Sequence, residues 1–111
     1  MRWGKIMTLG TTATDLVTLG SHLDVRSVEE FRTRLTAVQD SAIGEVVVDM
    51  SAVEVIDLAG LGVLAAAHVR GERSGHRLVL RNCSKELRRL LAVTRLNRVL
   101  HVERTLLDLS A

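Results

Sequence analysis

The run from Gly44 to Met50, GEVVVDM, places the strongest constraint on what this chain can fold into. Its three consecutive valines, Val46 to Val48, predict a strand because β-branched residues favour extended structure. The run shows no alternation of polar and apolar residues, which predicts that both faces of the strand are buried. The sequence therefore predicts a layered α/β domain with this strand near the centre of its sheet.

Helical patterns separate the predicted strands. The predicted helices cover residues 27–39, residues 58–73 and the segment after Ser84, and a final helix or tail covers residues 103–111. Ser27 followed by Glu30 predicts a capping box at the start of the first helix. Ser84, with Glu86 in the first turn, predicts a cap for the third helix.

The predicted strands are residues 5–10, 15–20, 44–50, 77–82 and 97–102, the last of them short and at an edge. The first two are so close in the chain that an antiparallel hairpin is expected. The later strands alternate with helices, which predicts parallel crossovers. We expect a single α/β domain over residues 1–111, in which a mixed, mostly parallel sheet of about four or five strands packs against about four helices.

The composition excludes several classes of function. The 111 residues contain only two aromatics, Trp3 and Phe31, so the core is expected to be aliphatic. The net charge is +2, and no basic block carries interleaved aromatics, so binding to nucleic acid is not predicted. The longest uncharged apolar stretch, Leu58 to Ala67, is too short to span a bilayer. Without a signal-peptide pattern at the N-terminus, a cytoplasmic location and no membrane insertion are expected.

The single cysteine and the four histidines are not expected to carry chemistry. Cys83 has no partner for an internal disulfide and no patterned histidine, so we interpret it as a structural thiol in a reducing compartment. The histidines lack HxxxH and HExxH spacing, and structural or surface roles are expected for His22, His68, His76 and His101. Neither a metal site nor a cofactor is predicted.

The segment from Val55 to Ala67, VIDLAGLGVLAAA, is the candidate functional stretch. Asp57 lies where a loop becomes a helix, so its carboxylate is expected to accept hydrogen bonds from the first N–H groups of that helix. Gly60 and Gly62 cost the helix roughly 1 kcal/mol each relative to alanine. They are expected to let the helix start lie against a neighbouring strand or a partner backbone.

The same segment does not fit the common catalytic patterns. It lacks the third glycine of a dinucleotide fingerprint and the Lys-Ser/Thr pair of a P-loop. No Ser or Cys lies between Ala52 and Arg73 to act as a nucleophile. No acid–base pair is visible elsewhere, so we expect a binding protein and not an enzyme.

VIDLAGLGVL, residues 55–64, resembles the signature of the STAS domain of bacterial anti-sigma factor antagonists, usually Asp-Ser-Ser-Gly-Leu-Gly followed by apolar residues. VVVDMSAVEVID resembles the strand and loop before that signature, and LGSHLDVRSVEEFRTRL resembles the family's Gly-Glu-Leu-Asp segment and first helix. HRLVLRNCSKELRRLLAVTRLNRVLHV resembles the closing strand, helix and edge. The resemblance covers roughly residues 14–105. It implies a module that binds an anti-sigma factor, typically a kinase-like protein, and so frees a sigma factor.

The resemblance also implies a binding surface, and the chain departs from the family within it. The anti-sigma kinase of that family phosphorylates the second serine of the signature and so breaks the complex. Leu58 and Ala59 stand at the two serine positions, and Ala59 has no hydroxyl to modify. By position in the family pattern, the implied partner-binding residues are Asp24, Asp57, Leu58, Ala59, Gly60, Leu61 and Gly62. Arg95 also departs from the family, which commonly has glycine there.

Several interpretations stay open at this point. The chain is either a constitutive antagonist or a diverged STAS module that uses the same face for another partner. The alternatives are an accessory subunit of a membrane transporter complex, because STAS-like domains also dock onto transporter ATPases, and a small-ligand sensor with a pocket at the helix start. We expect Asp57→Ala and Gly60→Trp to weaken partner capture without unfolding the domain.

Overall fold

Two parallel sheets and three α-helices make up residues 14–104, the part of the chain that the computed structural model describes. The strands are β1 (Thr14–Thr18), β2 (His22–Leu23), β3 (Glu45–Asp49), β4 (Val55–Ile56), β5 (Leu78–Arg81) and β6 (His101–Val102). The helices are α1 (Val28–Ser41), α2 (Leu58–Ser74) and α3 (Lys85–Val93), and a 3₁₀ turn covers Leu96–Arg98.

The main sheet has the strand order β1-β3-β5-β6, and every neighbouring pair in it is parallel. Val46, Val47 and Val48 of β3 are completely buried, which confirms the prediction of a central strand covered on both faces. The core around it is aliphatic, with Phe31 as its aromatic member within residues 14–104. The predicted α/β fold with a largely parallel sheet is therefore confirmed.

A second, two-stranded sheet was not predicted. In it β2 pairs with β4 in parallel, so that His22 lies opposite Val55 and Leu23 lies opposite Ile56. Both strands are only two residues long, and single-sequence patterns do not detect strands of that length. The pairing matters because the residues that follow the two strands, Asp24 and Asp57, are brought side by side.

Some predicted elements differ from the observed ones. The three α-helices of residues 14–104 are one fewer than the four expected, and the predicted strand 5–10 and most of the segment 103–111 lie outside the described residues. The edge strand is shorter than predicted because a 3₁₀ turn, closed by a 3.0 Å bond from the N–H of Val99 to the carbonyl of Leu96, takes its first residues. Arg95, before that turn, has a φ of 63°, in the left-handed region that favours glycine.

Two of the three predicted helix caps are present. Asp57 caps α2, and Ser84 caps α3 with its Oγ 3.1 Å from the N–H of Leu87. The prediction of a capping box at Ser27 and Glu30 is wrong, because the side chain of Ser27 makes no capping hydrogen bond to α1. Its Oγ instead donates to the carbonyl of His22 at 2.8 Å and accepts from the N–H of Asp24 at 3.1 Å, which fixes the loop before the helix.

None of the helices within residues 14–104 has the length and apolar character needed to cross a bilayer.

Candidate functional site

The carboxylate of Asp57 joins the two chain segments that leave the small sheet. Its Oδ1 accepts from the N–H of Gly60 at 3.0 Å, which caps α2 as predicted. Its Oδ2 accepts from the N–H of Val25 at 3.1 Å, in the loop before α1. These hydrogen bonds hold the pKa of Asp57 below its usual value, because they stabilise the charged carboxylate. The bond from the N–H of Gly60 has the larger effect, and the bond from the N–H of Val25 adds to it. One side chain thus fixes the start of a helix relative to a neighbouring loop.

Asp24 organises the loop on the other side of this junction. Its Oδ1 accepts from the N–H of Arg26 at 3.1 Å, and its carbonyl accepts from the N–H groups of Ser27 and Val28. These bonds close the turn that leads into α1. Asp24 is half-buried, so its carboxylate shapes the loop and also reaches its surface.

Apolar side chains lie exposed around the two acids. Leu58, the first residue of α2, is 78% exposed, and Val25 is 71% exposed. Val55 is 44% exposed and lines the same hollow as Asp24. We call the group formed by Asp24, Val25, Val55, Asp57, Leu58 and Gly62 the strand-end surface. An apolar centre with charged neighbours is typical of a protein-binding site.

The two glycines of α2 have different surroundings. A Cβ on Gly60 would lie 2.2 Å from the backbone oxygen of Leu23, so the predicted close approach to a neighbouring strand occurs there. A Cβ on Gly62 would meet no atom within 4 Å among the described residues. The packing of the described residues therefore requires glycine at position 60 but does not require it at position 62. It also corrects the expectation that Gly60→Trp leaves the domain folded, because an indole has no room there.

The remaining predicted site residues are partly or fully covered. Ala59 is half-buried, with its methyl group against the core. Leu61 is 3% exposed and lies in the core, so its side chain does not belong to the strand-end surface. The junction at Asp57 brings the other predicted residues together, and their role in partner binding stays a prediction.

Cys83 fits the structural role that the sequence suggested. The thiol is buried, and burial raises its pKa to about 11 although the nearby Arg88 guanidinium opposes the rise. A thiol with so high a pKa is almost entirely protonated at neutral pH, and the protonated form is a poor nucleophile.

Sequence reasoning missed one cluster of polar side chains, formed by His68 and Glu72 of α2 and His101 of β6. His68 and Glu72 are four residues apart, which places them on one helix face and is visible in the sequence. His101 is 33 positions beyond His68 and comes next to it only because β6 pairs with β5. A search for HxxxH or HExxH spacing therefore cannot detect that His101 is a neighbour of His68.

The low pKa of Asp57 predicts how the stability of the domain changes in acid. A carboxyl group whose pKa is lower in the folded state stabilises the fold above the unfolded-state value of about 3.9, and this stabilisation is lost as the pH falls further. We expect the free energy of unfolding to fall as the pH drops through and below about 4, and Asp57→Asn to make this fall shallower. Part of this loss of stability in acid remains in the variant, because the pKa of Asp49 is also lowered, chiefly by the N–H of Ser51.

Urea unfolding at a series of pH values measures this slope. Asp40→Asn, at an exposed acid on α1, is the control for removing one charge. Equal slopes for Asp57→Asn and the wild type would contradict the prediction.

This geometry defines a small α/β domain that presents a capped helix start and an adjoining loop to solvent. The STAS domain family matches residues 6–109, and the chain belongs to that family. No curated protein sequence matches the chain significantly.

Solved structures of three kinds share the fold. The chain is similar to an anti-sigma-factor antagonist (STAS) domain protein from Planctomyces limnophilus, with 18% identity, a TM-score of 0.73, and coverage of 91% of this chain and 97% of that chain. It is similar to the Bacillus cell fate determinant SpoIIAA in its phosphorylated form, with 18% identity, a TM-score of 0.64, and coverage of 92% and 93%. It is also similar to part of the murine Solute Carrier 26 family member A9 anion transporter, with 26% identity, a TM-score of 0.69, and coverage of 83% of this chain and 16% of that chain.

Proposed function

We propose that this chain is an anti-sigma factor antagonist that binds a kinase-like anti-sigma factor through the strand-end surface and so releases a sigma factor. We propose further that the kinase cannot break this complex at the family's usual position. In this proposal the chain is a cytoplasmic binding module and not an enzyme. The observation that carries the proposal is the exposed Leu58 at the start of α2, with the bare Gly62 one turn further along the same helix face.

Gly62 supports an intermolecular role because the fold does not require it. A glycine inside a helix lowers stability by roughly 1 kcal/mol relative to alanine. Leu58 and Gly62 are four residues apart, so they lie on one face of α2. A missing side chain at position 62 leaves Leu58 uncovered and lets another backbone come close to the helix.

The acids and the loop fit a preorganised binding site. Asp57 holds the loop at Val25 and the start of α2 in one arrangement before any partner arrives. Rigid contact surfaces lose less conformational entropy on binding. The exposed Val25 and Leu58 supply apolar area at that site, and the Asp24 carboxylate adds charge beside it.

Regulation is where this chain is proposed to differ from its family. A phosphoserine at position 59 would add nearly two negative charges beside Asp57, at the edge of an apolar contact. Neither Leu58 nor Ala59 carries a hydroxyl group, so this charge cannot be added there. The complex is therefore expected to persist in ATP.

Affinity capture followed by reconstitution tests the proposal. The full chain, immobilised and exposed to lysate of its source organism, is expected to retain an anti-sigma factor of kinase-like fold. The purified pair should form a complex that is equally stable with and without MgATP. Specific retention of transporter components instead would support the transport alternative that the solute-carrier similarity suggests, and would overturn the proposal.

The variant Ala59→Ser provides the matched test of the missing switch. It restores only a hydroxyl group at a half-buried position, so we expect it to fold and to bind as the wild type does. With the captured kinase and MgATP, intact mass spectrometry should show one added phosphoryl group on Ala59→Ser and none within residues 55–65 of the wild type. Phosphorylation of the wild type in that segment would contradict the proposal.

A further inference from the structure

We propose that His68, Glu72 and His101 form a binding site for Zn²⁺. The ligand atoms of the three side chains lie within 4.8 Å of one another and line an open hollow of about 420 Å³. The hollow is separate from the strand-end surface, because His68 is ten residues along α2 from Leu58, about 15 Å at the helical rise. This proposal therefore does not depend on the proposed function.

The residue types match those that bind zinc in sites with an open coordination position. Two imidazoles and one carboxylate are a common three-ligand set for Zn²⁺, with a fourth position left to water or another ligand. Tetrahedral geometry with bonds of about 2.05 Å places ligand atoms about 3.3 Å apart. The Nε2 of His68 and the Oε1 of Glu72 are 3.5 Å apart, so this pair is already close to that separation.

His101 completes the set from the edge of the main sheet. Its ring centroid is 5.4 Å from that of His68, with the planes at 61°. Closing the widest separation, at most 4.8 Å, to the tetrahedral value needs a movement of about 1.5 Å. Glu72 is exposed and His101 lies on an edge strand of two residues, so both can move this far without disturbing the core.

His76 also lines the hollow but is not expected to bind the ion. The side-chain amide of Gln39 can only donate through its Nε2, which lies 3.1 Å from the Nε2 of His76. The Nε2 of His76 is therefore occupied by this contact, and its Nδ1 is buried. Neither nitrogen is open to an ion in the hollow. Arg77 lines the hollow as well, and its positive charge opposes the binding of a cation there.

A bound ion would link two elements that hold each other only weakly at this edge. β6 consists of His101 and Val102 and pairs with β5 alone among the described strands. Coordination by His101 from β6 and by two residues of α2 would restrain the edge strand directly. Zn²⁺ should therefore slow amide hydrogen exchange at β6, an effect that a simple His68–Glu72 contact would not produce.

Isothermal titration calorimetry of the untagged full chain with ZnCl₂ near neutral pH tests the proposal. We expect one Zn²⁺ per chain. Glu72→Gln and His101→Gln should each weaken binding by about tenfold or more, because each removes one ligand. His22→Gln is the matched control, since His22 is an exposed histidine outside the hollow, and it should bind as the wild type does.

Two further measurements separate this site from binding elsewhere on the chain. Far-UV circular dichroism should be unchanged in the variants, because both side chains lie at the surface. Exchange at His101 and Val102 should slow with Zn²⁺ in the wild type and not in Glu72→Gln. Absence of binding at millimolar Zn²⁺, or equal binding by the wild type and the double variant Glu72→Gln/His101→Gln, would overturn the proposal.

Discussion

Alanine at Gly60 is expected to destabilise the domain by about 2–3 kcal/mol, whereas alanine at Gly62 is expected to stabilise it by about 0.5–1 kcal/mol. The new Cβ at position 60 would lie 2.2 Å from the oxygen of Leu23 and 2.9 Å from its Cγ. The oxygen is a backbone atom that also accepts from the N–H of Asp57, so it cannot move without breaking the β2–β4 pair. At position 62 the methyl group would meet no atom within 4 Å among residues 14–104, so it only improves helix propensity.

Thermal and urea denaturation of the two variants measure this difference directly. For a domain of this size the melting temperature should fall by roughly 10 °C or more in Gly60→Ala and rise by a few degrees in Gly62→Ala. The two substitutions are chemically identical and two residues apart in the same helix, so each is the control for the other. If both substitutions changed the stability in the same direction, the contact between α2 and Leu23 would not limit the size of the side chain at position 60.

The sequence predicted the architecture because long, strongly patterned segments carry it. Val46 to Val48 have no polar alternation, and the observed strand is buried on both faces. The helix start at Asp57 was predictable because a short acidic side chain before an apolar helix is a typical N-cap. Ser27 shows where this reasoning fails, since its Oγ accepts from the N–H of Asp24 in the preceding loop and not from a helix N–H.

The candidate site was only partly predictable because it depends on long-range pairing. The bond from Val25 N–H to Asp57 joins residues 32 positions apart, and it follows from the pairing of two-residue strands that leave no pattern. The difference between Gly60 and Gly62 likewise depends on the position of Leu23, which the sequence does not give. Leu61 was placed on the binding surface by its position in the family pattern, whereas helical geometry turns its side chain into the core.

Leu58→Asp is expected to weaken capture of the anti-sigma factor by about 30-fold to 1,000-fold, as at a binding hot spot that loses about 2–4 kcal/mol. Leu58 is 78% exposed, so its side chain contributes little to folding. The aspartate would place a charge in the centre of an apolar contact, which a partner could bury only with a large loss of solvation. It would also stand in the first turn of α2, where the helix dipole favours negative charge, so the domain should remain folded.

Val93→Asp provides the matched control, because Val93 is 76% exposed and ends α3, which leads from the carboxyl end of β5 back toward the amino ends of the parallel strands, away from the strand-end surface. It should bind as the wild type does.

Gly62→Trp tests the same face by bulk: position 62 is open, so the indole should fold onto the surface near Leu58 and block the partner. Binding that survives both Leu58→Asp and Gly62→Trp would place the partner elsewhere on the domain. Loss of binding in Val93→Asp as well would mean that added negative charge, and not this surface, governs capture.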